Sequence, residues 1–187
     1  MNIGIDIDNT IVNTAETVVN YINERLPLHL ELSDIKQYWM ENSLPKQFQW
    51  IVEAAFRDRF MWKDVKMISG AYDNIKRLYH DRHTLWFVTS ASPENLKKKI
   101  GHLTRELDFL PADYVEKHTI NIQKKQMLQL DIMIDDYIEN LNGPRTYTSI
   151  CLAYPWNYRL DDPDFYYVKD WQEIYSTCQI VSELHKE

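Results

Sequence analysis

Residues 2–8 alternate between apolar and polar side chains, with Ile3, Ile5 and Ile7 on one face and Asn2, Gly4, Asp6 and Asp8 on the other. A period of two predicts a short strand that opens the chain. Ala15, Val18, Val19, Ile22 and Leu26 then recur at helical spacing until Pro27, which predicts an amphipathic helix over 14–26. Residues 28–67 change character. Tyr38, Trp39, Phe48, Trp50, Phe56, Phe60 and Trp62 are scattered over helices predicted at 33–42 and 45–60, and the block reads as an insertion or small subdomain.

From Gly70 the pattern becomes regular: a helix over 70–81, a strand at Leu85-Trp86-Phe87-Val88, and a helix opening at Ser92-Pro93-Glu94. Ser caps that helix, Pro suits its first turn and Glu complements its dipole. A strand near 117–121 precedes a helical stretch at 123–129. Asp131-Ile132-Met133-Ile134 and Ser149-Ile150-Cys151-Leu152 read as short buried strands, Tyr166-Tyr167-Val168 as an edge strand, and Trp171 to Val181 as a closing helix. Strands alternating with helices imply an α/β fold whose mostly parallel sheet is covered on both faces, with ligands beyond the carboxyl ends of the strands.

Composition narrows the function. The 187 residues suit one domain, or one domain with an insertion, and 24 aromatic residues give it a heavy apolar payload. With glycine only at 4, 70, 101 and 143, neither a GxGxxG fingerprint nor a GxxxxGK[ST] loop can be written. A net charge of −7 argues against a nucleic-acid polymer or an anionic membrane as partner. Cys151 and Cys178 have neither CxxC spacing nor a disulfide framework, and are expected to be inert packing residues in a reducing compartment. The N-terminus has no basic n-region and meets Asp6 before any apolar run develops, so a cytoplasmic protein without a signal peptide is expected.

Three predicted strands end in polar residues of one kind: Asp6-Ile7-Asp8-Asn9-Thr10, Thr89-Ser90 and Asp135-Asp136, with Lys124-Lys125 between the last two. Taken alone, Asp135-Asp136 reads as a loop cap or a solvated turn and Lys125 as a solvated helix lysine. In a parallel sheet all of them gather at one edge. Several carboxylates in one place repel, and a hard divalent cation relieves that repulsion. Magnesium, which takes a few carboxylate oxygens, waters and a substrate phosphate oxygen, fits an open acidic cleft better than calcium does; without His or Cys in these motifs, zinc does not fit. A carboxylate can attack phosphorus to give an aspartyl-phosphate, and a second acid two residues on can protonate the leaving oxygen and later take a proton from water.

In their order along the chain, Asp6-Ile7-Asp8-Asn9-Thr10, Thr89-Ser90, Lys125 and Asp135-Asp136 resemble the four motifs of the haloacid dehalogenase superfamily of phosphohydrolases. Within it, the layout is similar to the 5'(3')-deoxyribonucleotidase family, the cytosolic type C nucleotidases. Ile68-Ser69-Gly70-Ala71, Ile134-Asp135-Asp136 and Val168-Lys169-Asp170-Trp171 add to the likeness, which spans essentially the whole chain and is loosest in the insertion. The resemblance implies a three-layer Rossmann-like core of residues 1–13 and 69–187, with a small helical cap, 14–68, inserted after the first strand.

Carried over residue by residue, the resemblance makes Asp6 the nucleophile and a magnesium ligand, and Asp8 the acid/base whose backbone carbonyl also meets the metal. Thr89 and Ser90 bind the phosphate. Lys125, ten residues before Asp135, neutralises the phosphoryl group and Asp6, with Lys124 as the fallback. Asp136 is a direct metal ligand and Asp135 stands behind it. Tyr38-Trp39 matches an aromatic pair that packs on the nucleobase, although aromatic residues in a small helical cap also serve as its core, a reading that applies more strongly to Trp50 and Trp62. Two positions depart from the animal enzymes: Thr14 stands where they have a pocket phenylalanine, and Tyr137 where an arginine often follows the acid pair.

Elsewhere, His80 and His83 at a helix end and Lys97 to Lys99 in a helix read as solvated faces, and Asp161, Asp162 and Asp164 around Pro163 as a polar loop. The expected activity is magnesium-dependent hydrolysis of a small phosphomonoester, a nucleoside monophosphate first. A sugar phosphate or other small organophosphate is the second reading, and a non-catalytic phosphate-binding protein the third. The partners expected are this small molecule and, within what the resemblance allows, a second copy of the chain as a homodimer.

Overall fold

The computed structural model describes residues 1–58, 61–157 and 164–185; Phe60, Asp161, Asp162 and Pro163 lie outside the described residues. Among the described residues six strands form one sheet: β1 (Asn2–Asp6), β2 (Thr84–Thr89), β3 (Thr119–Asn121), β4 (Ile132–Asp135), β5 (Thr148–Leu152) and β6 (Phe165–Val168). Every pairing is parallel, in the order β3-β2-β1-β4-β5-β6. The order reverses at β1, where a parallel α/β sheet opens a crevice at its carboxyl edge. Register sets Asp6 beside Val88 and Ile5 beside Ile134, so the ends of β2, β1 and β4 lie side by side.

Among the described residues the helices are α1 (Thr14–Arg25), α2 (Trp50–Arg57), α3 (Met61–Asp64), α4 (Ala71–His80), α5 (Pro93–Glu106), α6 (Tyr114–Lys117), α7 (Ile138–Leu141) and α8 (Trp171–Leu184). One sheet face sends Ile3, Ile5, Leu85, Phe87, Ile132, Ile134 and Ile150 into the main core, against Val18 and Ile22 of α1, Ile75 and Leu78 of α4, Leu103 of α5 and Ile174 and Cys178 of α8. These side chains are removed from water, and truncating Phe87 to Ala would cost about 3–5 kcal/mol. The other face carries a smaller cluster of Val88, Leu130, Met133, Leu141, Tyr147 and Cys151, so its cover is the short α7 and connecting segments. Gly4 falls on this second face between Ile3 and Ile5, and a Cβ there would come within 2.7 Å of Met133 Sδ, so a larger residue would force its neighbours to shift. The sheet is therefore buried on both sides, the parallel-sheet expectation.

Local chemistry explains the helix ends. Ser92 Oγ accepts from Asn95 N at 3.4 Å to cap α5, and Asp170 Oδ1 accepts from Glu173 N at 2.9 Å to cap α8. Gly70 precedes α4 at φ +80°, a conformation that favours glycine. Among the described residues no helix is long and apolar enough to cross a membrane.

Three expectations fail locally. The helix predicted over 33–42 is replaced by short 3-10 turns, Leu32–Asp34 and Met40–Ser43. Ser43 Oγ takes the backbone N–H groups of Lys36 and Gln37, and the second is a donor that a helix starting at Ser33 would use internally. In place of a helix over 45–60 there is a turn Lys46–Phe48, then α2. The stretch 123–129 contains only the turn Lys125–Met127, because Lys124 and Leu128 on either side leave helical geometry.

Candidate active site

β1 ends at Asp6, and the chain then turns sharply. Ile7 O accepts from Ile11 N at 3.0 Å and Val12 N at 3.1 Å, while Asn9 takes φ +53°. Asparagine tolerates that left-handed conformation, and Asn9 Oδ1 accepts from Ala15 N at 2.7 Å in the first turn of α1. Trp171, fully buried at the start of α8, ties the turn down through Nε1 to Thr10 O at 2.8 Å. Asp8 is thereby swung out of the sheet ladder beside the end of β2.

Asp6, Asp135 and Asp136 have carboxylate oxygens within 4.8 Å of one another. Lys125, 2% exposed, sits among them: its ammonium donates to Asp6 Oδ1 and, at 2.7 Å, to Asp135 Oδ2. Asp135 is further satisfied by Tyr137 N at 2.9 Å and by Asn140 Nδ2. Among the described residues the Asp136 carboxylate accepts only a long bond, 3.4 Å from Asn9 Nδ2, while its backbone carbonyl is held by Asn157 Nδ2 at 2.6 Å and Trp156 Nε1 at 3.2 Å.

The electrostatics follow from this crowding. Burial, opposed by Lys125 and reinforced by Asp135 and Asp8, pushes Asp6 up to about 7. Burial and then Asp135 and Asp6 drive Asp136 well above the usual carboxylate range. Burial works to lower Lys125, but Asp135 and Asp6 outweigh it and hold the ammonium above its ordinary value. One ammonium thus faces a cluster of carboxylates that resist ionising together. An oxygen-only donor set of this kind, with Asp136 weakly bonded among the described residues, fits a hard divalent cation.

Asp8 has its own partners. Thr14 Oγ1 donates to Oδ1 at 2.8 Å, and Lys99 Nζ donates to Oδ2 and, at 2.7 Å, to Thr89 Oγ1. Asp8 and Lys99 line a cavity of about 290 Å³ together with Asn9, Trp39, Glu41 and Ser90. Trp39 stands 59% exposed at this cavity, and Tyr38 stacks on Tyr137 with ring centres 3.6 Å apart. Burial and then Asp136, Asp6, Asp135 and Asp8 all push the Tyr38 hydroxyl upward. A larger cleft, between α1 and residues such as Asp58 and Lys63, contains none of the acidic cluster.

The residues expected at the site therefore meet as follows. Asp6, Asp135, Asp136 and Lys125 form one buried group, Asp8 and Thr89 a second beside it, and Ser90 and Trp39 line the adjoining cavity. Lys124 forms no part of either group, and the solvated alternative for Lys125 does not hold. The reading of Lys97 to Lys99 as a solvated face fails at Lys99, which is 4% exposed because it shares the inward stripe of α5 with His102 and Leu103. His83 is likewise buried, near the N-terminal amine, whereas His80 is exposed. Trp62 is core as expected, but Trp50 is 58% exposed. Both cysteines are buried and free, and burial pushes each thiol up to about 12.

The motif reading gave no role to Lys99, Asn9 or Asn157, and noted Thr14 only as a departure at a pocket position. For Lys99 a signal existed: the Ser92-Pro93 start sets the helix phase, and position 99 then falls on the face of His102 and Leu103.

Comparison with known proteins bears on the same architecture. The family described as "5' nucleotidase, deoxy (Pyrimidine), cytosolic type C protein" matches residues 1–184. The 5'(3')-deoxyribonucleotidase of Bacillus subtilis (strain 168) is 26% identical over 179 residues, covering 92% of this chain and 95% of that protein. The same figures hold for the 5'(3')-deoxyribonucleotidase of Bacillus phage SPbeta, at 26% over 179 residues. Among solved structures, a HAD family hydrolase from Deinococcus radiodurans R1 with bound phosphate and sodium superposes with a TM-score of 0.62 at 14% identity, covering 97% of this chain and 96% of that one. A haloacid dehalogenase-like hydrolase from Xanthomonas campestris gives 0.56 at 14% identity, covering 97% and 91%. At that identity these structures speak for the fold.

Proposed function

The chain belongs to the cytosolic type C 5' nucleotidase family and is a phosphoric monoester hydrolase, and on that premise we propose that it is a magnesium-dependent 5'(3')-nucleotidase acting on (deoxy)nucleoside monophosphates through an aspartyl-phosphate on Asp6. The observation that carries this reading is the convergence of Asp6, Lys125, Asp135 and Asp136 at the carboxyl edge of the sheet, beside Asp8, Thr89 and an aromatic-lined cavity.

In this reading Asp6 attacks phosphorus, and the bond from phosphorus to the leaving oxygen breaks as Asp8 gives that oxygen its proton. Water then attacks the aspartyl-phosphate, returning a proton to Asp8 and freeing Asp6. Lys125, braced by Asp135, neutralises charge on Asp6 and the phosphoryl group, and the Thr89 hydroxyl and Ser90 bind phosphate oxygens. Asp6, Asp136 and the Asp8 backbone carbonyl are the groups that would hold the magnesium. When bound, it supplies charge neutralisation and polarises the phosphoryl oxygen.

Residues 14–68 act as the cap and residues 1–13 with 69–187 as the core. The division is supported where the chain leaves and returns, since Asn13 N donates to Lys66 O at 2.9 Å and Ile68 N to Ile11 O at 2.8 Å. Trp39 offers a platform for the base, and the exposure of its ring fits a side chain awaiting a stacking partner. A screen of nucleoside 5'- and 3'-monophosphates with magnesium, scored by released phosphate, tests the proposal. Turnover of several nucleotides is expected, and activity confined to sugar phosphates would overturn the nucleotide assignment.

A further inference from the structure

We propose that Tyr137 is a positioning residue for base binding: its ring holds Tyr38 of the 14–68 segment and thereby fixes the neighbouring Trp39 relative to the phosphate site. The Tyr38 and Tyr137 rings lie nearly parallel, 3.6 Å between centres and 14° between planes. That is van der Waals contact, with no room for a base between them. Of the aromatic pair expected to pack on the base, Tyr38 therefore has one face taken by the core. Trp39, edge-on to Tyr38 at 5.4 Å and exposed at the cavity, is left to meet the base.

The chain around Trp39 has little regular structure to hold that ring. From residue 28 to 49 it forms only the short turns Leu32–Asp34, Met40–Ser43 and Lys46–Phe48. Ile35 and Met40 are its buried anchors, whereas Tyr38 is half-buried and Trp39 exposed. Tyr137, by contrast, is tied into the acidic cluster, since its backbone N–H donates to Asp135 Oδ1 at 2.9 Å. A second core ring, Trp156, meets Tyr38 edge-on at 6.5 Å and donates Nε1 to Asp136 O at 3.2 Å. Both core rings that grip Tyr38 are thus referenced to the Asp135-Asp136 pair, and the spacing between the base platform and the reacting end is set through them. A nucleotide gains fully from contacts at its base and its phosphate only where that spacing is fixed before it binds.

The inference rests on the base-stacking role proposed for Trp39, and a substitution cycle separates the two. Wild type, Tyr137→Ala, Tyr137→Phe, Trp39→Ala and the Tyr137→Ala, Trp39→Ala double variant are to be compared on the nucleoside monophosphate that the screen finds, dTMP first. Competitive inhibition by inorganic phosphate, which has no base, is measured beside it. We expect Tyr137→Ala to raise KM for the nucleotide about 2- to 12-fold, the weight of one aromatic pair, with kcat and the phosphate inhibition constant within about twofold of wild type. Tyr137→Phe keeps the ring and should hold KM within about twofold. Because Tyr137 acts through Trp39, its loss adds nothing once Trp39 is gone, and the double variant should match Trp39→Ala. A residue that only supports the fold would weaken phosphate inhibition in step with KM, and one that touches the base itself would raise KM further in the double variant. Either result would overturn the proposal, as would an unchanged KM in Tyr137→Ala, or a lowered one, which would make the stack a gate that opens for substrate. Should Tyr137→Ala not fold, Tyr137→Leu supplies the same comparison. An unchanged nucleotide KM in Trp39→Ala would overturn the platform reading, and turnover of no nucleotide would overturn the nucleotide assignment; the role of Tyr137 falls with either.

Discussion

Lys125 and Asp6, 119 residues apart, share a buried hydrogen bond at the centre of the sheet's carboxyl edge. The lysine also bonds Asp135, so substituting Asp6 leaves its ammonium with a partner. Asp6→Asn and Asp8→Asn should each lower phosphatase activity by at least about 1,000-fold while the protein stays folded. Released phosphate and circular dichroism of the purified variants check this, and wild-type activity in either would sink the mechanism.

Removing Lys125 has the opposite balance, because its carboxylate neighbours lose their buried cation. Lys125→Met should destabilise the metal-free protein by about 3–5 kcal/mol, the usual cost of breaking a buried pair from one side. Saturating magnesium should restore part of that loss. Denaturant titration with and without the metal measures both, and a stability like that of wild type would count against the cluster as drawn.

Metal dependence and pH are linked through Asp6 and Asp136. Burial raises Asp6 from 3.8 to about 7, so the folded state binds its proton more tightly than the unfolded state does. In metal-free protein this contribution is fully present below 3.8 and is lost as the pH rises through about 7. A divalent cation binds the ionised form, so magnesium should raise the melting temperature more at about pH 8 than at about pH 5, with affinity rising over the same interval. An equal shift at both pH values would contradict the assignment.

Trp39→Ala tests the base platform. A stack worth about 1–3 kcal/mol per base predicts a rise in KM for nucleotides of about 5- to 150-fold, with little change for p-nitrophenyl phosphate. Unchanged constants for nucleotides would leave the exposed ring without this role.

The strands themselves could be anticipated from periodicity because each carries its own signal, alternating at β1 and mostly apolar at β4 and β5, whereas their order in the sheet could not. The same holds for α5 and α8, whose caps Ser92 and Asp170 act within one turn. Between residues 28 and 67 the signal fails, since Ser43 takes the Gln37 N–H, a donor that helical spacing alone would assign to a helix.

The site divides along the same line. Asp6, Thr89 and Asp135 were legible because each ends a strand, and parallel pairing brings strand ends together whatever the side chains beyond them do. Lys99 resembled a solvated lysine, since adjacent Lys97 and Lys98 carry the same charge and only the face of α5 against β2 and Trp62 separates them. The Tyr38–Tyr137 stack is invisible in sequence because it joins residues 99 positions apart across the mouth of the site. Local patterning, acting over one helical turn or one strand, was enough to determine the layered sheet and the acidic motifs at its edge. Which lysine holds which aspartate, and which aromatic rings face the cavity, was decided only by tertiary packing, where burial and charge pairing act between distant segments.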